Sequence, residues 1–146
     1  MDWTLELVVV PVSDIDRAKA FYADKMGFTV DVDFSASEDF RIVQLTPPGS
    51  AASITLMSNQ QMAPGSLHGV HIIVPDIEQA RAELTGRGVE VGDYFHFGAE
   101  GQTPGLHPNR DNYRTYLSVN DPDGNTILIQ EVDRSKPSPP GSDPEA

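Results

Sequence analysis

His68 and His71 stand three residues apart in "GSLHGVHIIVPDIEQARAEL" (Gly65 to Leu84), at the start of an apolar run. An imidazole titrates near neutrality, so it suits metal ligation, general base work or a hydrogen bond to a bound molecule. The other two of the four histidines, His96 and His107, fall in "YFHFGAEGQTPGLHPNRDNY" (Tyr94 to Tyr113), among Phe95, Phe97, Arg110 and Tyr113. A segment rich in histidine, aromatics and arginine could close on a polar or aromatic guest. Its bland reading is a surface loop packed by its own rings. His96 and His107 alone leave a metal at least one ligand short. The acidic run "DVDFSASED" (Asp31 to Asp39) reads as a solvated edge strand and turn. There is no glycine-rich phosphate loop, no defensible Ser–His–Asp order, and no cysteine for thiolate chemistry or disulfides.

Composition narrows the field. With 22 acidic against 10 basic residues the net charge is −12, and no basic stripe exists to bind nucleic acid. No apolar run approaches the roughly 20 residues that cross a bilayer, so no membrane partner is expected. "MDWTLELVVV" lacks the basic start and cleavage site of a secretory signal, and the chain reads as cytoplasmic. At 146 residues, one domain is the expectation.

The elements that must position these residues come from a repeat. "VSDIDRAKA" (Val12 to Ala20) and "VPDIEQARA" (Val74 to Ala82) agree at five of nine positions, with Asp/Glu and Lys/Arg swaps besides. Each follows an apolar β-branched run and leads to a glycine and a second β-like stretch, "GFTVDV" from Gly27 and "GVEVGD" from Gly88. That is an internal duplication. Strands are predicted over 5–12, 28–34, 40–46 and 51–58, then over 89–93, 113–120 and 125–132. Asp14 (or Ser13) and Asp76 serve as helix caps. "DPDGN" (Asp121 to Asn125) makes the last hairpin turn. Module 1 covers about 4–59, a Pro/Gly linker 59–66, and module 2 about 67–132. The tail 133–146 is too polar to bury apolar surface and reads as disordered.

A tandem βαβββ pair, with "V-x-D-x-x-x-A" opening each half, "FY" in the first helix and "DPDG" before the last strand, resembles the vicinal oxygen chelate superfamily. That superfamily includes glyoxalase I, extradiol dioxygenases and bleomycin-resistance proteins. The resemblance implies an α+β fold in which the modules curl into a cup-like mixed sheet with helices outside, and a homodimer. Metal-dependent members place ligands at positions that fall here on Leu7, Thr55, Gly69 and Leu128. Three of these offer no donor and Thr offers a weak one, so no metal and no cofactor are expected. Alternation along the strands puts His71, Ser53, Met57 and Gln130 on the inner face, with His68 and Glu6 pointing outward.

Function is therefore read as metal-independent binding of an aromatic or amphipathic small molecule, with a cationic one favoured by the acidic balance. The binding residues would be Ser53, Thr55, Met57, His71 and Gln130, with His96, His107, Arg110 and Tyr113 supplied by the loop. The alternative is a glyoxalase- or dioxygenase-like lyase or isomerase in the same cavity. It would use His71 or a loop histidine as base, or relocated metal ligands. A pure interaction domain is the third class.

Overall fold

The computed structural model describes residues 1–58 and 61–135. The chain forms two compact units, each built on its own sheet. The first comprises residues 1–68 with 120–125, and the second residues 69–119 with the remainder. Most of the predicted tail, and two residues of the predicted linker, lie outside the described residues. No described helix is long and apolar enough to cross a membrane.

In the first unit, β1 (Leu7–Pro11) leads into α1 (Ile15–Ala20), which continues as a π-helical turn over Phe21–Lys25. Then come β2 (Thr29–Ser37), β3 (Phe40–Thr46) and β4 (Ser53–Met57), in the sheet order β1-β4-β3-β2. β1 runs parallel to β4, and the other pairs are antiparallel. The Asp14 side chain accepts the Arg17 N–H at 3.1 Å and so caps α1. Gly27, at φ 79°, turns the chain out of the π-helical segment. Side chains alternate across each strand. Val10, Val43, Leu45, Ile54 and Leu56 are buried on one face with Ala18, Phe21 and Tyr22 of the helical segment. The helix-free face carries Leu7, Val9, Gln44, Ser53, Thr55 and Met57.

The DPDGN turn belongs to this first unit, and its side chains do more than reverse the chain. Asp121 Oδ1 accepts the backbone N–H groups of Asp123 and Asn125, both at 2.9 Å. The buried Tyr22 hydroxyl donates to Asp121 Oδ2 at 2.8 Å, and Asn125 Nδ2 donates to the Pro11 carbonyl at 2.8 Å. Asp123 accepts from the Ser13 N–H at 3.0 Å. Gly65 sits so close that a Cβ there would fall 2.1 Å from the Asp123 carbonyl oxygen, at φ +82°. Only glycine fits.

In the second unit, β5 (Val70–Val74) leads into α2 (Ile77–Gly86), capped by Asp76 through the Glu78 and Gln79 N–H groups. Next come β6 (Phe95–Gly98), β7 (Gly101–Pro104), β8 (Thr115–Asn120) and β9 (Thr126–Glu131), in the order β5-β9-β8-β6-β7. β5 is parallel to β9, repeating the β1–β4 arrangement. The duplication is therefore structural as well as sequential.

Two expectations need correction. The strand predicted over 89–93 shrinks to one bridge between Val91 and Val119. The stretch from Tyr94 to Tyr113, expected to lack regular structure, begins with the β6–β7 hairpin instead. Its rings alternate with His96 and Gly98, and Gly101 supplies the turn at φ 97°. The polar Gln102 and Thr103 hide the return strand from a hydrophobicity reading. The hairpin takes the place beside β8, through the pairs Phe95–Tyr116 and His96–Thr115.

Candidate ligand-binding faces

Each sheet has one face free of its own helix, and the predicted residues divide between the two. On the second unit, β5 pairs with β9 so that His71 opposes Leu128 and Ile73 opposes Gln130. The Tyr116 ring lies on the same face. It stacks on Phe95 (5.4 Å, 14°) and meets the edges of Phe97 (5.5 Å, 75°) and His71 (6.5 Å, 82°). Phe97 and Ile73 are 43% and 41% exposed, so the outer edge of this aromatic shelf is open to solvent, while the Tyr116 ring is buried behind it. Among the described residues no hydrogen bond reaches either nitrogen of the exposed His71 ring. Gln130 is buried beneath the shelf, with Nε2 donating to the Tyr116 hydroxyl at 2.8 Å. Tyr116 is the residue that the sequence reading missed. Counting back from the DPDGN turn, through the alternation of "TYLSVN", would have placed it on this face.

The loop histidines lie elsewhere. Because Phe95 opposes Tyr116, His96 opposes Thr115 and points to the reverse face, where α2 lies. His96 is buried, its Nδ1 is 2.7 Å from the Gly105 carbonyl, and its ring stands 5.8 Å from that of His107. The carbonyl can only accept, so His96 Nδ1 carries a proton. His107 Nδ1 accepts the Asp111 N–H at 3.2 Å. The structure thus separates this pair from His71 and the shelf.

Arg110 is committed as well. Its guanidinium donates twice to Glu131, at 2.8 and 2.5 Å, and once to Glu78 in the first turn of α2, at 2.6 Å. Glu131 also accepts the Ile77 N–H at 2.9 Å. Burial alone would push the Glu131 carboxyl up. The Arg110 and Ile77 hydrogen bonds outweigh it and hold the carboxyl below its ordinary value. Tyr113 lies between the two faces' concerns. Its backbone carbonyl receives Tyr116 and Gln130, while its hydroxyl accepts from Arg134 at 3.0 Å.

On the first unit the helix-free face is a line of polar groups. Gln44 Nε2 donates to Glu6 at 3.3 Å, Thr46 and Ser53 share a hydrogen bond at 2.7 Å, and Thr46 also bonds Asp31. Glu6 was expected to point outward. It precedes the first residue of β1, so strand alternation does not bind it, and its carboxylate reaches Gln44. Between these groups lies Thr55, 4% exposed, with its hydroxyl partnerless among the described residues. Met57 lines a cleft of about 390 Å³ with Phe40, the start of α1 and the turn from Glu38 to Arg41.

A divalent ion finds little here. The positions matched to the superfamily's ligands hold Leu7, Thr55, Gly69 and Leu128, and no group of three potential ligands occurs among the described residues. Aliphatic side chains and a hydrogen atom cannot ligate, and one neutral hydroxyl is a poor ligand. At these four positions the residues present do not fit a metal.

Two consecutive units, βαβββ and βαββββ, each closing its first strand onto its last in parallel, define a paired-module α+β class. The model of the Glyoxalase/Bleomycin resistance protein/Dioxygenase superfamily matches residues 4–129, and the chain belongs to that superfamily. TnmS3, an antibiotic binding protein from Streptomyces sp. CB03234, is similar to it. The two are 31% identical with a TM-score of 0.70, covering 89% of this chain and 96% of TnmS3. A superfamily member from Sphaerobacter thermophilus DSM 20745 is 26% identical with a TM-score of 0.70, covering 90% and 98%. YetH of Bacillus subtilis (strain 168) is 26% identical over 128 residues, covering 85% of this chain and 94% of YetH.

Proposed function

We propose that this protein binds a planar aromatic or amphipathic small molecule, without a metal, and that the aromatic shelf of the second unit is its main contact. The observation that carries this reading is the exposed Phe97 ring, backed by Phe95 and the buried Tyr116, beside a His71 whose ring nitrogens make no hydrogen bond among the described residues. The exposed Phe97 ring and the accessible part of Phe95 offer apolar area and an oriented π face to a flat guest. The similarity to an antibiotic binding protein supports the same class of ligand. The net charge of −12 would steer a cationic guest toward the protein, adding to its on-rate. We further infer a homodimer, for which the 89% exposed Trp3 and 69% exposed Leu5 are available apolar contacts.

The test is calorimetric titration with planar aromatic compounds, neutral and cationic. Phe97→Ala should weaken a hit about tenfold, in line with the loss of one aromatic contact. Absence of binding across the panel would overturn the reading. Stoichiometric zinc, iron or manganese in elemental analysis would overturn its metal-free part. Turnover of a hit, abolished by His71→Ala, would instead favour the lyase or isomerase reading with His71 as base.

A further inference from the structure

The hydrogen bonds beneath the shelf specify more than apolar contact. Tyr113 is an aromatic residue at φ 67°, a left-handed conformation that bulky side chains rarely adopt. Its surroundings hold it there, since its N–H donates to the Glu131 carbonyl at 3.0 Å and Arg134 engages its hydroxyl and ring. The twist aims the Tyr113 carbonyl at the Tyr116 hydroxyl, 3.1 Å away, and at Gln130 Nε2, 3.4 Å away.

The direction of every proton then follows. A carbonyl only accepts, so the Tyr116 hydroxyl gives its proton to Tyr113. Its oxygen is thereby left to accept, and the group facing it at 2.8 Å must be the NH2 end of the Gln130 amide. With the amide reversed the Tyr116 hydroxyl would donate to Oε1 instead, and the Tyr113 carbonyl would lose both of its donors and face that oxygen at 3.4 Å. Gln130 Oε1 is consequently turned away from both. It has no partner among the described residues, yet it is not a sealed orphan and keeps contact with solvent. Gln130 is otherwise buried, on the face of the shelf.

We propose that Gln130 Oε1 is a specificity-determining acceptor. It selects planar aromatic ligands that carry a hydrogen-bond donor, such as a phenolic hydroxyl, an amine or an N–H heterocycle. Tyr113 and Tyr116 act as positioning residues that hold the amide in one sense. This rests on the aromatic binding reading above and narrows it to a ligand class.

The probes are hydroxypyrene and its methyl ether, which differ in the donor, titrated by their own fluorescence. The wild-type protein should prefer the hydroxy compound about five- to tenfold, the size of one hydrogen bond to a buried neutral group. Gln130→Met keeps the volume and removes the acceptor, so the preference, read as the ratio of the two affinities within that variant, should vanish. Tyr116→Phe frees the amide to reverse, and should reduce the ratio of the two affinities within that variant. A merely structural role would weaken both compounds alike. Equal wild-type affinities, or a preference that survives Gln130→Met, would overturn the acceptor role and leave aromatic binding standing. Binding of neither compound would overturn both.

Discussion

The two units share a fold and a repeat, yet they differ on both sides of their sheets. The helix-free face of the first is a line of hydrogen-bonding groups from Glu6 to Asp31, while that of the second is a stack of rings. On the reverse sides an arginine does the same work twice. Arg41 forks onto Asp33 of β2 and reaches Asp16 in the first turn of α1, at 2.9, 2.9 and 2.6 Å. Arg110 forks onto Glu131 of β9 and reaches Glu78 in the first turn of α2. Asp16 and Glu78 are equivalent positions of the repeat, but the arginines are not. One comes from a strand and the other from the loop after the hairpin. Bidentate geometry is the same in both, and burial is not. The Asp33 side chain is 29% exposed and that of Glu131 only 4%. Geometry alone therefore does not rank the two; the surrounding solvent does.

The largest effect expected follows from that difference. Arg110→Ala strands a buried carboxylate and removes the link to α2. It should cost about 3 kcal/mol in urea denaturation, at the lower end for breaking a buried pair because Arg110 keeps some solvent contact. The pH dependence has a definite sign. Glu131 is held below its ordinary value of 4.5, so its contribution is present above that value and is lost as pH falls through the folded one. Arg110→Ala should flatten this acid limb. A variant as stable as wild type, with an unchanged acid limb, would erase the contrast between the two arginines.

Next in size is Tyr22→Phe in the first unit. It removes a buried donor to the Asp121 carboxylate, which retains other donors from Asp123 and Asn125. A loss of about 1–2 kcal/mol is expected. Burial, and then the charge of Asp121, push the Tyr22 hydroxyl far above its ordinary value of 10.0. Its contribution is thus present below pH 10 and is lost progressively above it. Wild type should lose stability in alkali more steeply than Tyr22→Phe. Equal alkaline limbs would show that the Tyr22–Asp121 bond does not form in solution.

Much of this architecture is legible in the sequence, and what is not has local causes. The repeat, the Asp14 and Asp76 caps and the DPDGN turn are written in short-range chemistry, where one side chain satisfies a neighbouring backbone group. Alternation places His71 and Gln130 correctly on the helix-free face because both lie inside strands. The same rule misplaces Glu6, which lies one residue before β1 and is free of the pleat. Treating Tyr94 to Tyr113 as one loop groups Phe97 with His96, whereas the hairpin sends them to opposite faces. Arg110 and Tyr113 have positive φ of 54° and 67°, which no propensity forecasts for arginine or tyrosine. Tertiary partners impose it: Glu131 holds both, through the Arg110 guanidinium and the Tyr113 N–H. The candidate binding face was visible in its strand residues and hidden where it depends on the hairpin.

A smaller effect, of opposite sign, probes the polar face. Thr55→Val replaces an unpartnered, buried hydroxyl by a methyl group of nearly the same shape, and both residues suit a strand. Stability should rise by about 1 kcal/mol, seen as a higher urea midpoint with unchanged slope. A fall would mean that a water molecule satisfies the hydroxyl, making this face wetter and more distinct from the shelf.

The smallest expected effect is that of Arg41→Ala, the counterpart of the first substitution. Two hydrogen bonds from Arg41 and one from Lys19 hold the Asp33 carboxyl well below the carboxylate range. Strong local coupling does not make a strong contribution here, because each of these groups remains in contact with water and screening ions. The folded protein also has to immobilise the long Arg41 side chain, which opposes the gain. The melting temperature of Arg41→Ala should stay close to that of wild type, and the small difference should shrink further in 1 M salt. Arg110→Ala should keep most of its loss in the same salt, since Glu131 is shielded by protein and not by ions. Equal salt sensitivity in the two variants would mean that the reverse side of the second sheet is as wet as that of the first. The comparison between the units would then survive only on their helix-free faces.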